Sequence, residues 1–279
     1  MNFSVAQDTI FTQKYTLNCR GKIIPLSTPL VMGIINCTPD SFHSSSRAAG
    51  IEDAIQMAQK HLSEGASILD LGAFSTRPGA EIISTDEELK RILPVAEALR
   101  KHFPDALLSI DSFRPEIIEA LLPIGIDMVN DVSGLADEHI LQVIAGKNIP
   151  YVLMHNAKDN NYKNVVTDVY RFLQEKIQVI KKYKINDVVV DLGFGFAKTL
   201  QQNYELLSKS DFFMQLNTPV LIGISRKSMI YKVLNYTPSE ALNGTTALHA
   251  FALTKGANIL RVHDVKEAKE IIDLFSKLK

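Results

Sequence analysis

The chain has 279 residues, 46% of them hydrophobic and 22% charged, with 30 Lys and Arg against 31 Asp and Glu for a formal net charge of -1. That composition supports a sizeable core and excludes wholesale disorder, while so even a charge balance offers no broad positive surface to nucleic acid or an anionic membrane. No apolar run approaches the roughly 20 residues of a membrane span. Cys19 and Cys37 form no C-x-x-C pair, so a reduced cytoplasmic setting and a small-molecule partner are expected.

After a polar start without the apolar core of a signal peptide, residues 14–26 predict two short strands about Arg20-Gly21, a hairpin closing the bottom of a barrel. From Leu30 a unit recurs: an apolar run, a polar terminus, a turn, then apolar residues at helical spacing. Strands are expected at 30–35, 68–71, 107–110, 128–132, 151–154, 188–190, 220–224 and 259–262. Helices are expected at 51–63, 86–102, 116–122, 137–145, 165–183, 240–254 and 266–278.

Short runs rich in Val, Ile and Leu suit a parallel sheet covered on both faces. Eight such units, with no Gly-x-Gly-x-x-Gly turn after the first strand, predict an α/β fold, a (β/α)8 TIM barrel. The expected organisation is a single domain over 1–279, with 1–27 as extension and hairpin and 28–279 as barrel.

A barrel of this kind carries its chemistry at the carboxyl ends of its strands. Those ends read Asn36, Ser75-Thr76-Arg77, Asp111, Asn130-Asp131, His155, Asp191, Ser225-Arg226-Lys227, and Arg261 with His263. Asp111, Asn130, Asp191 and Lys227 together offer acceptors, an amide and an ammonium, a set that could read a flat heterocycle. Arg77, Arg261 and His263 could clamp a polyanion. His155 reads as a hydrogen-bonded strand-end histidine outside the catalytic set.

Ile35-Asn36-Cys37-Thr38-Pro39-Asp40-Ser41-Phe42 resembles the first signature of the dihydropteroate synthase family, and Ser75-Thr76-Arg77-Pro78-Gly79 resembles the second. The likeness continues in order through Ser109-Ile110-Asp111, Asn130 to Gly134, Leu153 to His155, Asp191 to Thr199, Ile224 to Ser228 and Arg261 to Asp264. It implies an enzyme, a transferase joining a dihydropterin diphosphate to 4-aminobenzoate, giving dihydropteroate and pyrophosphate in folate biosynthesis. It also implies a homodimer.

The same resemblance implies residue roles. Asp111, Asn130, Asp191 and Lys227 would bind the pterin, with Met154, Gly223 and Phe196 packing nearby. Asn36 would ligate a Mg2+ cofactor bound to the diphosphate. Arg261, His263 and Arg77 would hold that diphosphate, and Thr76 and Ser228 would lie where aminobenzoate enters. Asp111, Lys227 and Arg261 form the expected catalytic group.

Several positions depart from the family pattern: Ala73-Phe74 replaces Gly-Glu, Leu192 a Pro, Ala197 a Gly, Ser112-Phe113-Arg114 Thr-Tyr-Lys, and His43 to Arg47 lacks Asp-Gly-Gly. These bear on closure of the loops at 38–50 and 73–80. Two alternatives remain at this point. One is a pterin-binding methyltransferase barrel serving a corrinoid partner, which Arg261-x-His263 argues against because a methyl donor leaves no diphosphate. The other is a noncatalytic pterin-binding protein.

Overall fold

The computed structural model describes residues 15–37, 47–73 and 83–278. It begins with a hairpin of β1 (Thr16–Cys19) and β2 (Lys22–Pro25) paired antiparallel. Arg20 and Gly21 both take positive φ, 54° and 92°, the two-residue turn whose twist matches that of paired strands. Asn18 Oδ1 accepts from the Gly21 N–H at 2.7 Å and fixes that turn.

The chain then alternates strand and helix: β3 (Leu30–Asn36), α1 (Arg47–Ser63), β4 (Ile68–Gly72), α2 (Thr85–His102), β5 (Leu107–Asp111), α3 (Pro115–Leu121), β6 (Met128–Asp131), α4 (His139–Ile144), β7 (Tyr151–Met154) and α5 (Val165–Lys182). There follow β8 (Val188–Asp191), α6 (Leu200–Ser208), β9 (Val220–Ile222), α7 (Ser228–Leu234), α8 (Leu242–Thr254), β10 (Ile259–Val262) and α9 (Val265–Phe275). Each strand from β3 to β10 pairs parallel with the next, and β10 pairs with β3 to close an eight-stranded barrel.

The expected strands recur with ends shifted by no more than a residue or two. Helices α6 and α7 were not among the expected segments. Thr199-x-x-Gln202 forms a capping box that starts α6, a signal readable in the sequence. The helix expected from Glu240 starts at Leu242, because Pro238–Glu240 is a separate 3-10 turn capped by Thr237.

Strand alternation divides the apolar residues into two cores. Leu69, Leu71, Leu108, Ile110, Val129, Leu260 and Val262 face the helices and join the larger core. Met32, Ile68, Leu107, Met128, Val152, Val189, Leu221 and Ile259 face the barrel axis near the strand starts, where Leu17, Cys19 and Leu26 of the hairpin segment pack onto them. The bottom of the barrel is therefore filled and covered, leaving its polar groups to the other end.

Candidate active site

Register sets the height of the first site residues. Asn36 lies opposite Gly72, Gly72 opposite Asp111, and Asp111 opposite Asn130, so one layer crosses four adjacent strands. Farther round, Met154 on β7 lies opposite Asp191 on β8. Asp111, Asn130, Met154 and Asp191 are all buried, and Asn36 is half-buried.

Below Asp111, the barrel interior holds a charge that strand-end reading passes over. Asp70 is fully buried on β4, on the same face as Ile68 and Gly72. Its Oδ1 accepts from Ser109 Oγ at 2.6 Å, and its Oδ2 accepts from Arg261 Nε at 2.7 Å and Asn130 Nδ2 at 3.0 Å. Arg261 also donates from Nη2 to Asp111 Oδ2 at 2.6 Å. The guanidinium thus bridges two carboxylates. Burial opposes its charge, but Asp70 and Asp111 outweigh that penalty and raise its pKa.

Two acceptor atoms in this layer remain without a partner among the described residues: Asp111 Oδ1 and Asn130 Oδ1. Orphaned buried acceptors are costly and call for a donor from elsewhere. Burial pushes the Asp111 carboxyl up, with Arg261 pulling the other way.

The β8 end supplies the opposite wall. Asp191 Oδ1 accepts from the Gly193 N–H at 2.8 Å, turning the chain into a tight loop. Gly193 has φ +68°, and a Cβ there would lie 1.9 Å from the His155 carbonyl oxygen, so only glycine fits. Lys227 Nζ donates to the Phe194 carbonyl at 2.6 Å and lies 4.9 Å from the centre of the Phe196 ring. Burial lowers the Lys227 pKa to about 8 despite the neighbouring Asp191. Asp191 is raised by burial, with Lys227 drawing it back. A Cβ on Gly223 would stand 3.5 Å from Asp191 Oδ2, so the missing side chain leaves space directly over that carboxylate.

Loop residues complete the rim. Ser225 Oγ lies 3.2 Å from His263 Nδ1, and half-buried Ser228 opens α7 immediately after Lys227. Arg226, grouped with Lys227 by strand-end reading, turns away: its Nε and Nη2 grip Asp264 at 2.8 and 2.7 Å. Asp131 also points outward, accepting from the Ser133 and Leu135 N–H groups and the Tyr151 hydroxyl. Thr76 and Arg77, with most of both expected closing loops, lie outside the described residues.

Comparison with known proteins addresses the identity of this arrangement. A family model described as pterin binding enzyme matches residues 32–263, which takes in nearly all of the barrel from β3 to β10. The dihydropteroate synthase of Escherichia coli is 40% identical over 263 residues, covering 91% of this chain and 93% of that protein. That of Streptococcus pyogenes is 39% identical over 263 residues, covering 92% and 98%. The chain belongs to the dihydropteroate synthase family.

A solved dihydropteroate synthase of Xanthomonas albilineans, with 4-aminobenzoic acid, superposes at a TM-score of 0.90 with 37% identity, covering 95% of this chain and 98% of that one. Within this dihydropteroate synthase framework, Asp70 is the principal residue that sequence reasoning missed. Its signal was present: Ile68, Asp70 and Gly72 alternate with Leu69 and Leu71, which places a carboxylate on the inward face.

Proposed function

We propose that this barrel is a dihydropteroate synthase that condenses (7,8-dihydropterin-6-yl)methyl diphosphate with 4-aminobenzoate, giving 7,8-dihydropteroate and pyrophosphate. One observation carries the residue assignments: buried Asp111 Oδ1 and Asn130 Oδ1 have no donor among the described residues, in the layer beside Asp191 and Lys227. A pterin edge, with amino and ring N–H groups beside acceptor atoms, matches such a lining. Met154, Gly223 and Phe196 would flank the ring.

In the reaction the methylene C–O bond breaks and diphosphate departs with the electron pair. The positive charge on carbon is shared with the electron-rich ring. The neutral arylamine nitrogen forms the new C–N bond, and its proton passes to solvent. The protein's task is to orient the ring and stabilise the departing charge. Asp191 and Asp111 hold ring donors, Lys227 donates to ring acceptors, and Arg261 and His263, with Arg77, face the anion. Thr76 and Ser228 take the aminobenzoate side.

Asn36 would hold Mg2+. A single amide oxygen is a sparse, hard donor, and no cluster of three or more His, Cys, Asp or Glu suited to a metal occurs among the described residues. That set fits an ion kept mainly by water and phosphate oxygens. When bound, Mg2+ neutralises charge on the diphosphate.

The family likeness also motivates a homodimer, and exposed Val233, Leu234, Tyr236 and Phe251 on or beside α7 and α8 offer apolar surface for a second copy. No helix among the described residues is long and apolar enough to cross a membrane, and both cysteines are free and buried, which supports a cytoplasmic enzyme built as one domain with its hairpin. Incubation with both substrates should give dihydropteroate and pyrophosphate only when Mg2+ is present. Methyl transfer to a corrinoid protein, with no dihydropteroate formed, would overturn this reading.

A further inference from the structure

We propose that Asp70 is a positioning residue that sets the hydrogen-bonding polarity of the pterin pocket by locking the side-chain amide of Asn130. The proposal rests on the pterin reading of the site and adds a residue below the layer that would touch the ring.

An asparagine can present either its oxygen or its NH2 to a ligand, and the two choices select opposite partners. Here the choice is made by Asp70. Its Oδ2 accepts from Asn130 Nδ2 at 3.0 Å, which turns Asn130 Oδ1 away as an unpartnered buried acceptor. Flipping the amide would bring two acceptor oxygens to that distance with no hydrogen between them.

Asp70 has no freedom to turn and relieve such a contact. Its other oxygen accepts from Ser109 Oγ at 2.6 Å, and Arg261 Nε holds Oδ2 at 2.7 Å. Ser109 sits on β5 directly opposite Asp70 and Asn130 on β6 directly opposite Asp111, so adjoining strands hold the network from three sides. Asn130 Oδ1 and, on the facing residue of the next strand, Asp111 Oδ1 are left as buried acceptors without a partner among the described residues, a pair suited to a donor-bearing ring edge. Ser109 matters through the same chain, because its hydroxyl donates its hydrogen across to Asp70 Oδ1 on the neighbouring strand.

The test is a double-mutant cycle. Asp70→Asn frees the Asn130 amide to present either face, and Asn130→Ala removes the amide that Asp70 orients. In the double variant no amide remains at position 130 for position 70 to lock.

Calorimetric binding of a phosphate-free dihydropterin to the full-length protein, with melting temperatures recorded in parallel, should show at least tenfold weaker binding for each single variant. The double variant should bind within about threefold of Asn130→Ala alone. Phosphate-free ligand keeps the anion-holding role of Arg261 out of the readout. Reduced melting temperatures with unchanged affinity in the folded single variants would overturn the proposal and leave Asp70 a packing residue. A double variant weakened by the product of the two single losses would also overturn it. A parent protein that binds no dihydropterin would instead remove the pterin reading itself.

Discussion

Lys198 Nζ lies 3.0 Å from His155 Nδ1, so a lysine and a histidine share one hydrogen bond in which the imidazole is the neutral acceptor. The same ammonium donates to the Gly193 and Phe196 carbonyls at 2.8 and 3.1 Å, tying the loop after β8 to the end of β7. Burial, and then the Lys198 charge, lower the His155 pKa to about 3, and burial lowers Lys198 to about 7.

The first prediction follows from that histidine. Its folded pKa of about 3 lies below the ordinary 6.5, so between these values the unfolded chain binds the extra proton and stability falls as pH falls. From pH 6.5 to about pH 5 the loss attributable to His155 is on the order of 2 kcal/mol, at 1.36 kcal/mol per unit. Raised carboxyls at Asp111, Asp131 and Asp191 act in the opposite direction. Urea melts of the parent and His155→Asn across this range isolate the term: the variant should show the shallower acid loss, and parallel curves would exclude it.

Arg261→Ala should do two things at once. It leaves buried Asp70 and Asp111 without the cation between them, which destabilises by about 3–5 kcal/mol in comparable buried pairs. It should also weaken binding of the pterin diphosphate more than that of a phosphate-free pterin. Arg261→Lys keeps the charge but loses the fork, so it should recover stability only in part. Equal affinity losses for the two pterins, measured calorimetrically, would remove Arg261 from the anion site.

Asp191→Asn should lower pterin affinity by about one to two orders of magnitude, since a donor facing a ring donor costs roughly 1–3 kcal/mol. The amide oxygen can still accept from the Gly193 N–H, so the loop turn should survive. Lys227→Met should act in the same direction. A lower melting temperature with unchanged affinity would make Asp191 a turn residue only.

Gly193→Ala is expected to be far more damaging than its size suggests, because the new Cβ would collide with the His155 carbonyl oxygen in a left-handed backbone conformation. Loss of more than about 2 kcal/mol in stability and of pterin binding should occur together. Gly146→Ala, at an open site with φ +72°, reports the backbone component alone. Equal melting temperatures for the two variants would show that the collision is relieved.

Much of this architecture is legible in the amino-acid sequence. The recurring apolar run and polar terminus locate β3 to β10, and the polar termini lead to Asp111, Asn130, Asp191 and Arg261. What escapes is orientation. Asp131 follows Asn130 directly yet points to the opposite face, where Tyr151 donates to it. Arg226 precedes Lys227 yet turns to Asp264. Alternation carries facing along a strand, but a four-residue strand gives it little length on which to act. Asp70 escapes because it sits mid-strand, where a run dominated by Ile and Leu disguises one inward carboxylate.

The two thiols lie at opposite ends of the barrel. Cys19 is packed into the hairpin segment that covers the bottom, and Cys37 follows β3 at the upper mouth, its N–H donating to the Gly72 carbonyl at 2.7 Å. Burial pushes each thiol up to about 12, so neither reacts in place. Alkylation of Cys19 therefore times the detachment of the lower cover, while alkylation of Cys37 times opening of the helix-facing core at the end of β3. The chain contains its own pair of clocks for breathing at its two ends, and pterin binding should slow the upper one while leaving the lower one running at its former rate.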